Sequence, residues 1–336
     1  MRHILIPLLF CVLLAVNLPR RATTQTPPYA ASVNAPETHI SLPMKYVQRH
    51  LFVELDDNAL GPLLFMVDTG AENTLLSLSK AQKAKIESHL FDRFVSITGL
   101  GSGKSTRIYG HFQLSLRTGT TRPVTAEAMV VDRAGVELST GRTVDGVLGW
   151  DFFQHWCVRL DYGARRMDIA GLEHCSPPKG AYTIVKGKWT PEGMLLPSTL
   201  TLANGLLLQL QLHLDTGCDA TLLLNPRLRE AAGLPGDPST RGTVGKGMSG
   251  SYSTDTVTAK ELVLEGGYPK WSGRSFTLLI GRPGSFSEPH WWWDGFGEVA
   301  INRDGLLGNQ LLESESWTFD PARKQIYVRS RGTPNR

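Results

Sequence analysis

Most of the chain alternates apolar and polar residues over strand-length stretches separated by Gly, Pro, Asn and Asp, while helical spacing is rare and brief. That pattern predicts a mainly β protein. Residues 51–55, a turn region at Asp56, Asp57 and Asn58, and residues 63–67 read as one hairpin. Residues 200–202, the turn Ala203-Asn204-Gly205 and residues 206–214 read as another, with Asn-Gly as its signal. Short helices are expected at 79–87, 151–156, 226–232 and 309–315, the third with Asn225 as its cap and Pro226 at its first position.

The two hairpins end on the same tripeptide, Asp68-Thr69-Gly70 and Asp215-Thr216-Gly217, each set between apolar runs. One such tripeptide is an ordinary turn after a strand. Its surroundings repeat as well: Thr74 and Thr221 follow at equal distances, Asp145-Gly146-Val147-Leu148-Gly149 returns as Asp304-Gly305-Leu306-Leu307-Gly308, and Asp161 matches Asp320. Asp68 and Asp145 are 77 residues apart and Asp215 and Asp304 are 89 apart, so the second half carries about 12 extra residues. Each half also has a Gly-rich hairpin, Gly99, Gly101 and Gly103 leading to Tyr109, and Gly245, Gly247 and Gly250 leading to Tyr252. Glycine of this density serves mobile lids and plain exposed turns alike.

The organisation expected is a signal peptide or N-terminal anchor at 1–22, a flexible lead-in at 23–38, a first lobe at 39–178 and a second at 179–332. The apolar residues 4–18, preceded by Arg2 and followed by Pro19-Arg20-Arg21-Ala22, fit a secretory signal and are short for a bilayer span. Export to a periplasmic, secreted or envelope-associated location follows, with membrane contact only if that segment is retained. Cys11 follows the bulky Phe10, which argues against lipid attachment there.

At 336 residues, 41% apolar and 20% charged, the chain has the composition of a globular protein. The net charge of +4 is partly carried by Arg2, Arg20 and Arg21, and no basic stripe suggests nucleic acid. Nine histidines lack the paired helical spacing of a zinc hydrolase, and no cofactor or metal is expected. Gly245-x-Gly247-x-x-Gly250 matches a dinucleotide fingerprint only formally, because a β-like stretch follows it. Gly103-Lys104-Ser105 lacks the leading Gly of a phosphate loop, since Thr98 occupies that place. Three cysteines lie beyond the apolar start: Cys157, Cys175 and Cys218. Cys157 and Cys175 bracket a hairpin, and both a disulfide and a reduced pair remain open.

The duplicated Asp-Thr-Gly sites, Gly-rich hairpins and apolar-Gly segments resemble those of aspartic peptidases of the retroviral and pepsin types, over about residues 40–330. The resemblance implies a bilobal pepsin/retropepsin-like acid protease fold, mainly β, with two pseudo-symmetric barrel-like lobes and short helices. It implies an endopeptidase working as a monomer on an extended peptide or protein substrate. Asp68 and Asp215 take the catalytic positions. Thr69 and Thr216 would lock the two loops together, and Gly70 and Gly217 would admit the backbone close to the carboxylates. Residues 147–149 and 306–308 would brace the loops from beneath. Gly99, Gly101, Gly103, Gly245, Gly247 and Gly250 become flap candidates, and Tyr109, Tyr252 and Trp292 cleft candidates.

Trp291-Trp292-Trp293 either lines a cleft selecting apolar side chains or packs the extra residues onto their own lobe. Pepsin-type sites usually carry Ser or Thr after Asp-Thr-Gly; here Ala71 and Cys218 follow. Without that hydroxyl donor the dyad is expected to work at mildly acidic to near-neutral pH. The alternative to an enzyme is a catalytically weak peptide-binding or scaffold module that keeps the fold.

Overall fold

The computed structural model describes residues 39–83, 95–97, 106–117, 123–132, 143–234, 243–247, 250–267, 269–272, 275–282 and 303–330. The expected signal and lead-in, residues 1–38, lie outside them.

The hairpin that leads to Asp68 pairs His50–Asp57 with Gly61–Val67, Leu51 standing opposite Val67 and Asp57 opposite Gly61. Its turn falls slightly later than expected because Asp57 stays in the strand. The Asp57 carboxylate caps the turn, accepting from the Ala59 and Leu60 amides at 2.8 and 2.9 Å. The second hairpin pairs Gly193–Leu202 with Leu207–Asp215. Asn204 Oδ1 accepts from the Leu206 amide at 3.0 Å, and Gly205 adopts φ +90°, as the Asn-Gly turn predicts.

Behind each hairpin runs the second repeated motif. Gly146–Leu148 lies parallel to Gly61–Val67 and antiparallel to Leu75–Ser77. Gly305–Gly308 lies parallel to Leu207–Asp215 and antiparallel to Leu222–Leu224. The leading aspartates explain why the motif repeats: Asp145 Oδ2 accepts from the Leu64 amide at 2.9 Å, and Asp304 Oδ2 accepts from the Gln211 amide at 2.7 Å. Each therefore ties its strand to the one that ends on an Asp-Thr-Gly loop.

A six-strand antiparallel arrangement joins the halves, in the order Thr183–Val185, Gln325–Ser330, Glu315–Asp320, Cys157–Asp161, Arg166–Ala170, His39–Val47. Three of its strands come from each half, and the central pair sets Val158 opposite Phe319 and Asp161 opposite Ser316. Alternate residues of these strands, Val158, Leu160, Trp317 and Phe319, are almost fully buried. The helix Trp150–His155 packs Phe153 edge-on against Phe319 at 4.9 Å. Burying each such side chain contributes about 1.5–3 kcal/mol, which secures the lobes to a common floor.

The helices are short, as the sequence suggests. Trp150–His155 and Asn309–Leu312 start where expected to within one residue, and the latter stops early because Glu315–Asp320 begins a strand. Leu78–Lys83 is helical, and the end of the expected 79–87 helix lies outside the described residues. At 226 the chain forms a 3₁₀ turn, Pro226–Leu228, in place of a longer helix; Asn225 caps it by accepting from the Arg227 amide at 2.9 Å. Cys157 and Cys175 form a disulfide, which resolves the two readings left open, and Cys218 is free and buried.

Candidate active site

Asp68 and Asp215 each stand at the end of a hairpin, where the strand runs out into a tight loop. The Asp68 amide donates to Leu148 O at 3.0 Å, so the brace holds the loop from below. Past the loop, Trp150 N donates to Ala71 O at 2.7 Å and Asn309 N to Cys218 O at 2.8 Å. These are equivalent bonds in the two halves. Gly149 and Gly308 lie so close to the loop backbones at Asn73 and Ala220 that a Cβ would collide there.

The loops meet through their threonines. Thr69 N donates to Thr216 Oγ1 at 3.0 Å, and Thr216 N donates to Thr69 Oγ1 at 3.1 Å. Each hydroxyl then donates across the boundary, Thr69 to Leu214 O and Thr216 to Val67 O, both at 2.9 Å. Both threonines are buried, so all four bonds are made away from water, where a missing partner would be costly.

This lock brings the carboxyls together. The Asp68 and Asp215 side chains are hydrogen-bonded to each other. Asp68 also accepts from the Gly70 and Ala71 amides at 2.9 and 3.1 Å, and Asp215 from the Gly217 amide at 2.8 Å. Burial pushes both carboxyls above their ordinary range. For Asp215 the charge of Asp68 and the hydrogen bond between them push further in the same direction, whereas for Asp68 that bond pulls back. Double ionisation of the pair is therefore resisted, and the two carboxyls share one proton.

The outer supports differ between halves. Thr74 Oγ1 accepts from Gly149 N at 3.1 Å and donates to Asp151 Oδ1 at 2.7 Å. Thr221 instead donates to Thr277 O and contacts Gln310.

Of the flap candidates, Gly245, Gly247 and Gly250 lie on the hairpin of Thr243–Gly247 with Gly250–Leu264, Gly247 pairing with Gly250. Gly99, Gly101, Gly103 and Trp292 lie outside the described residues. Tyr252 pairs with Gly245, is 6% exposed, and clusters with Cys218, Ala220, Leu223 and Leu306 directly behind Asp215. Burial, then the neighbouring Cys218, Asp219 and Asp215, pushes its hydroxyl well above the usual tyrosine range. Tyr109 packs half-buried against the large core, with the Arg107 guanidinium 5.0 Å from its ring centre.

Two residues at the site carry no sequence signal. Asn309 is fully buried; its Nδ2 donates to Arg49 O at 2.7 Å and to Thr216 O, and its Oδ1 accepts from the Tyr162 hydroxyl. His50 is buried one position before Leu51, whose ladder partner Val67 immediately precedes Asp68. Their value comes from which strands pair, which local alternation does not encode.

Paired Asp-Thr-Gly loops locked back to back are the arrangement that the resemblance to aspartic peptidases implies. Residues 53–152 match the family model described as aspartyl protease, a stretch that contains Asp68 and the first brace. Among solved structures, the chain is similar to basic 7S globulin from soybean, at 12% identity and TM-score 0.48, over 87% of this chain and 95% of that one. It is also similar to the aspartic proteinase from Irpex lacteus, at 12% identity and TM-score 0.47, over 88% and 98%. No curated protein matches the chain.

Proposed function

We propose that this protein is an aspartic endopeptidase in which Asp68 and Asp215 share one proton and activate a water molecule against a peptide bond. The observation that carries the reading is the reciprocal threonine lock, which sets two buried carboxyls in hydrogen-bond contact. Two adjacent carboxyls in a poorly solvated site resist double ionisation, leaving one acid and one base.

Ionised Asp68 takes a proton from the water as its oxygen bonds to the scissile carbonyl carbon, and Asp215 gives its proton to the carbonyl oxygen. The resulting diol collapses: Asp68 passes its proton to the amide nitrogen, the carbon–nitrogen bond breaks, and a diol proton returns to Asp215. The pair titrates as a unit, so the two roles are written for one of its two equivalent arrangements.

An extended substrate suits the hairpin of Thr243–Gly247 with Gly250–Leu264, whose backbone can pair with a strand laid beside it. The Cys157–Cys175 disulfide supports an exported, oxidising location. Burial of both carboxyls, with Ala71 and Cys218 in place of hydroxyl donors, supports activity at mildly acidic to near-neutral pH.

The test is digestion of a mixed peptide library across pH by the wild type, Asp68→Asn and Asp215→Asn. Internal cleavage lost in both variants is expected. Cleavage that survives either substitution, or a wild type inert at every pH while binding peptides, replaces the enzyme with a binding module.

A further inference from the structure

His50 is a titratable side chain at the dyad that the hydrolytic scheme leaves unused. It opens the strand His50–Asp57 just after the tight turn at Gln48 and Arg49, whose φ angles of 48° and 64° are left-handed. Leu51 pairs with Val67 in the antiparallel ladder, so the next step in register sets His50 opposite Asp68. Side chains at such positions share one face. The imidazole is 6% exposed, and its Nδ1 is buried without a hydrogen-bond partner among the described residues.

The turn before it is fixed to the second lobe, because Arg49 O accepts from Asn309 Nδ2. The ring is thus held at the junction of the lobes. The charged groups that act on it are Asp219 from the other lobe and Asp68 from its own, with Arg49 adjacent in the turn. Apart from Asp215, Asp68 is served by the backbone donors Gly70 and Ala71, and residue 71 has no hydroxyl to add.

We propose that His50 is a positioning residue of the dyad: its protonated ring, set across the strand from Asp68, keeps Asp68 ionised in acid in place of the hydroxyl donor missing at residue 71. This rests on the reading of Asp68 and Asp215 as a hydrolytic pair. Burial opposes charging the ring and both carboxylates favour it, burial prevailing. The ring is accordingly neutral near neutrality and gains its charge as the medium acidifies. Its charge in turn acts on Asp68 to lower that carboxyl's pKa. The second proton is thereby deferred to lower pH.

Peptide cleavage is to be followed from acid to neutral pH in the wild type, His50→Gln and His50→Arg. The acid limb is expected to move up by about one pH unit in His50→Gln and down in His50→Arg, as an opposite charge within a few ångströms dictates. An acid limb unmoved in both variants overturns the proposal. Independently of turnover, the His50 imidazole is titrated by NMR in the wild type and in Asp68→Asn. Its pKa is expected to fall when the carboxylate is removed, and an unchanged value overturns the proposal. A wild type that cleaves nothing while His50 still responds to Asp68 would remove the hydrolytic reading and leave the coupling standing, so the two failures are distinguishable.

Discussion

Gly70 of the first lobe lies against the carboxyl group of Asp215 in the second, so closely that a Cβ at residue 70 would overlap its Cγ and both oxygens. Gly217 stands in the same relation to Asp68. Neither glycine is needed for a left-handed backbone; what each supplies is space. Gly70→Ala must therefore push the carboxyl or the loop aside while leaving the rest of the fold in place. A displacement near 1 Å costs about 100-fold in rate. Peptide cleavage by Gly70→Ala is expected to fall by about that factor, with an unchanged far-ultraviolet circular dichroism spectrum. Activity within a few-fold of wild type would mean that the carboxyls are not held in the arrangement described.

Asp215 is 6% exposed and holds its proton well above the ordinary carboxylate range, through burial first and Asp68 second. An acid raised in the folded state contributes its full share of stability below its unfolded pKa of about 4 and loses it as pH rises towards the folded value. The unfolded chain ionises freely over that window and the folded chain resists. Asparagine does not ionise. Asp215→Asn is therefore expected to be inactive yet to gain thermal stability relative to wild type at pH 7, and to lose that gain as pH falls to about 4. Scanning calorimetry at the two pH values decides it; a Tm difference that does not change with pH contradicts the raised pKa.

The juxtaposition of Asp68 and Asp215 was legible because duplication writes itself into the sequence. Asp68 and Asp215 repeat with Thr74 and Thr221 and with the two Asp-Gly-x-Leu-Gly segments, and those segments prove to bind the strands leading to the dyad. The hairpins were legible for a local reason, since alternation and turn residues such as Asn204-Gly205 specify neighbours in sequence. The floor of the molecule was not. Pairing of Cys157–Asp161 with Glu315–Asp320 joins residues about 150 apart, and their patterns fit many partners equally well. Asn309 and His50 stayed hidden for the same cause. An Asn after Gly308 looks like a helix start, and only the cross-lobe contact with Arg49 shows what it holds.

Asn309 fixes three groups at once: Arg49 O, Thr216 O and the Tyr162 hydroxyl. Asn309→Leu removes all three bonds in a buried place. Each orphaned polar group costs about 1–3 kcal/mol, so a loss of at least about 3 kcal/mol is expected in denaturant unfolding. Because Thr216 O belongs to the catalytic loop, kcat should fall as well. A loss below about 0.5 kcal/mol, the size of an ordinary surface change, would show that the lobes do not depend on this side chain.

Residue 71 tests how the dyad is tuned from the other side of Asp68. The Ala71 amide already donates to Asp68 Oδ1 at 3.1 Å, and its methyl packs against the small apolar cluster of Phe52, Met66 and Val147. Ala71→Ser adds a hydroxyl beside a carboxylate and removes little packing. A donor to the ionised form lowers the carboxyl pKa, so the acid limb of peptide cleavage should extend downward by up to about one pH unit. In His50→Gln the same serine should recover the acid activity lost with the imidazole, since both groups would act on one charge. If Ala71→Ser leaves the acid limb of both backgrounds where it was, the limb is governed by something other than the ionisation of Asp68.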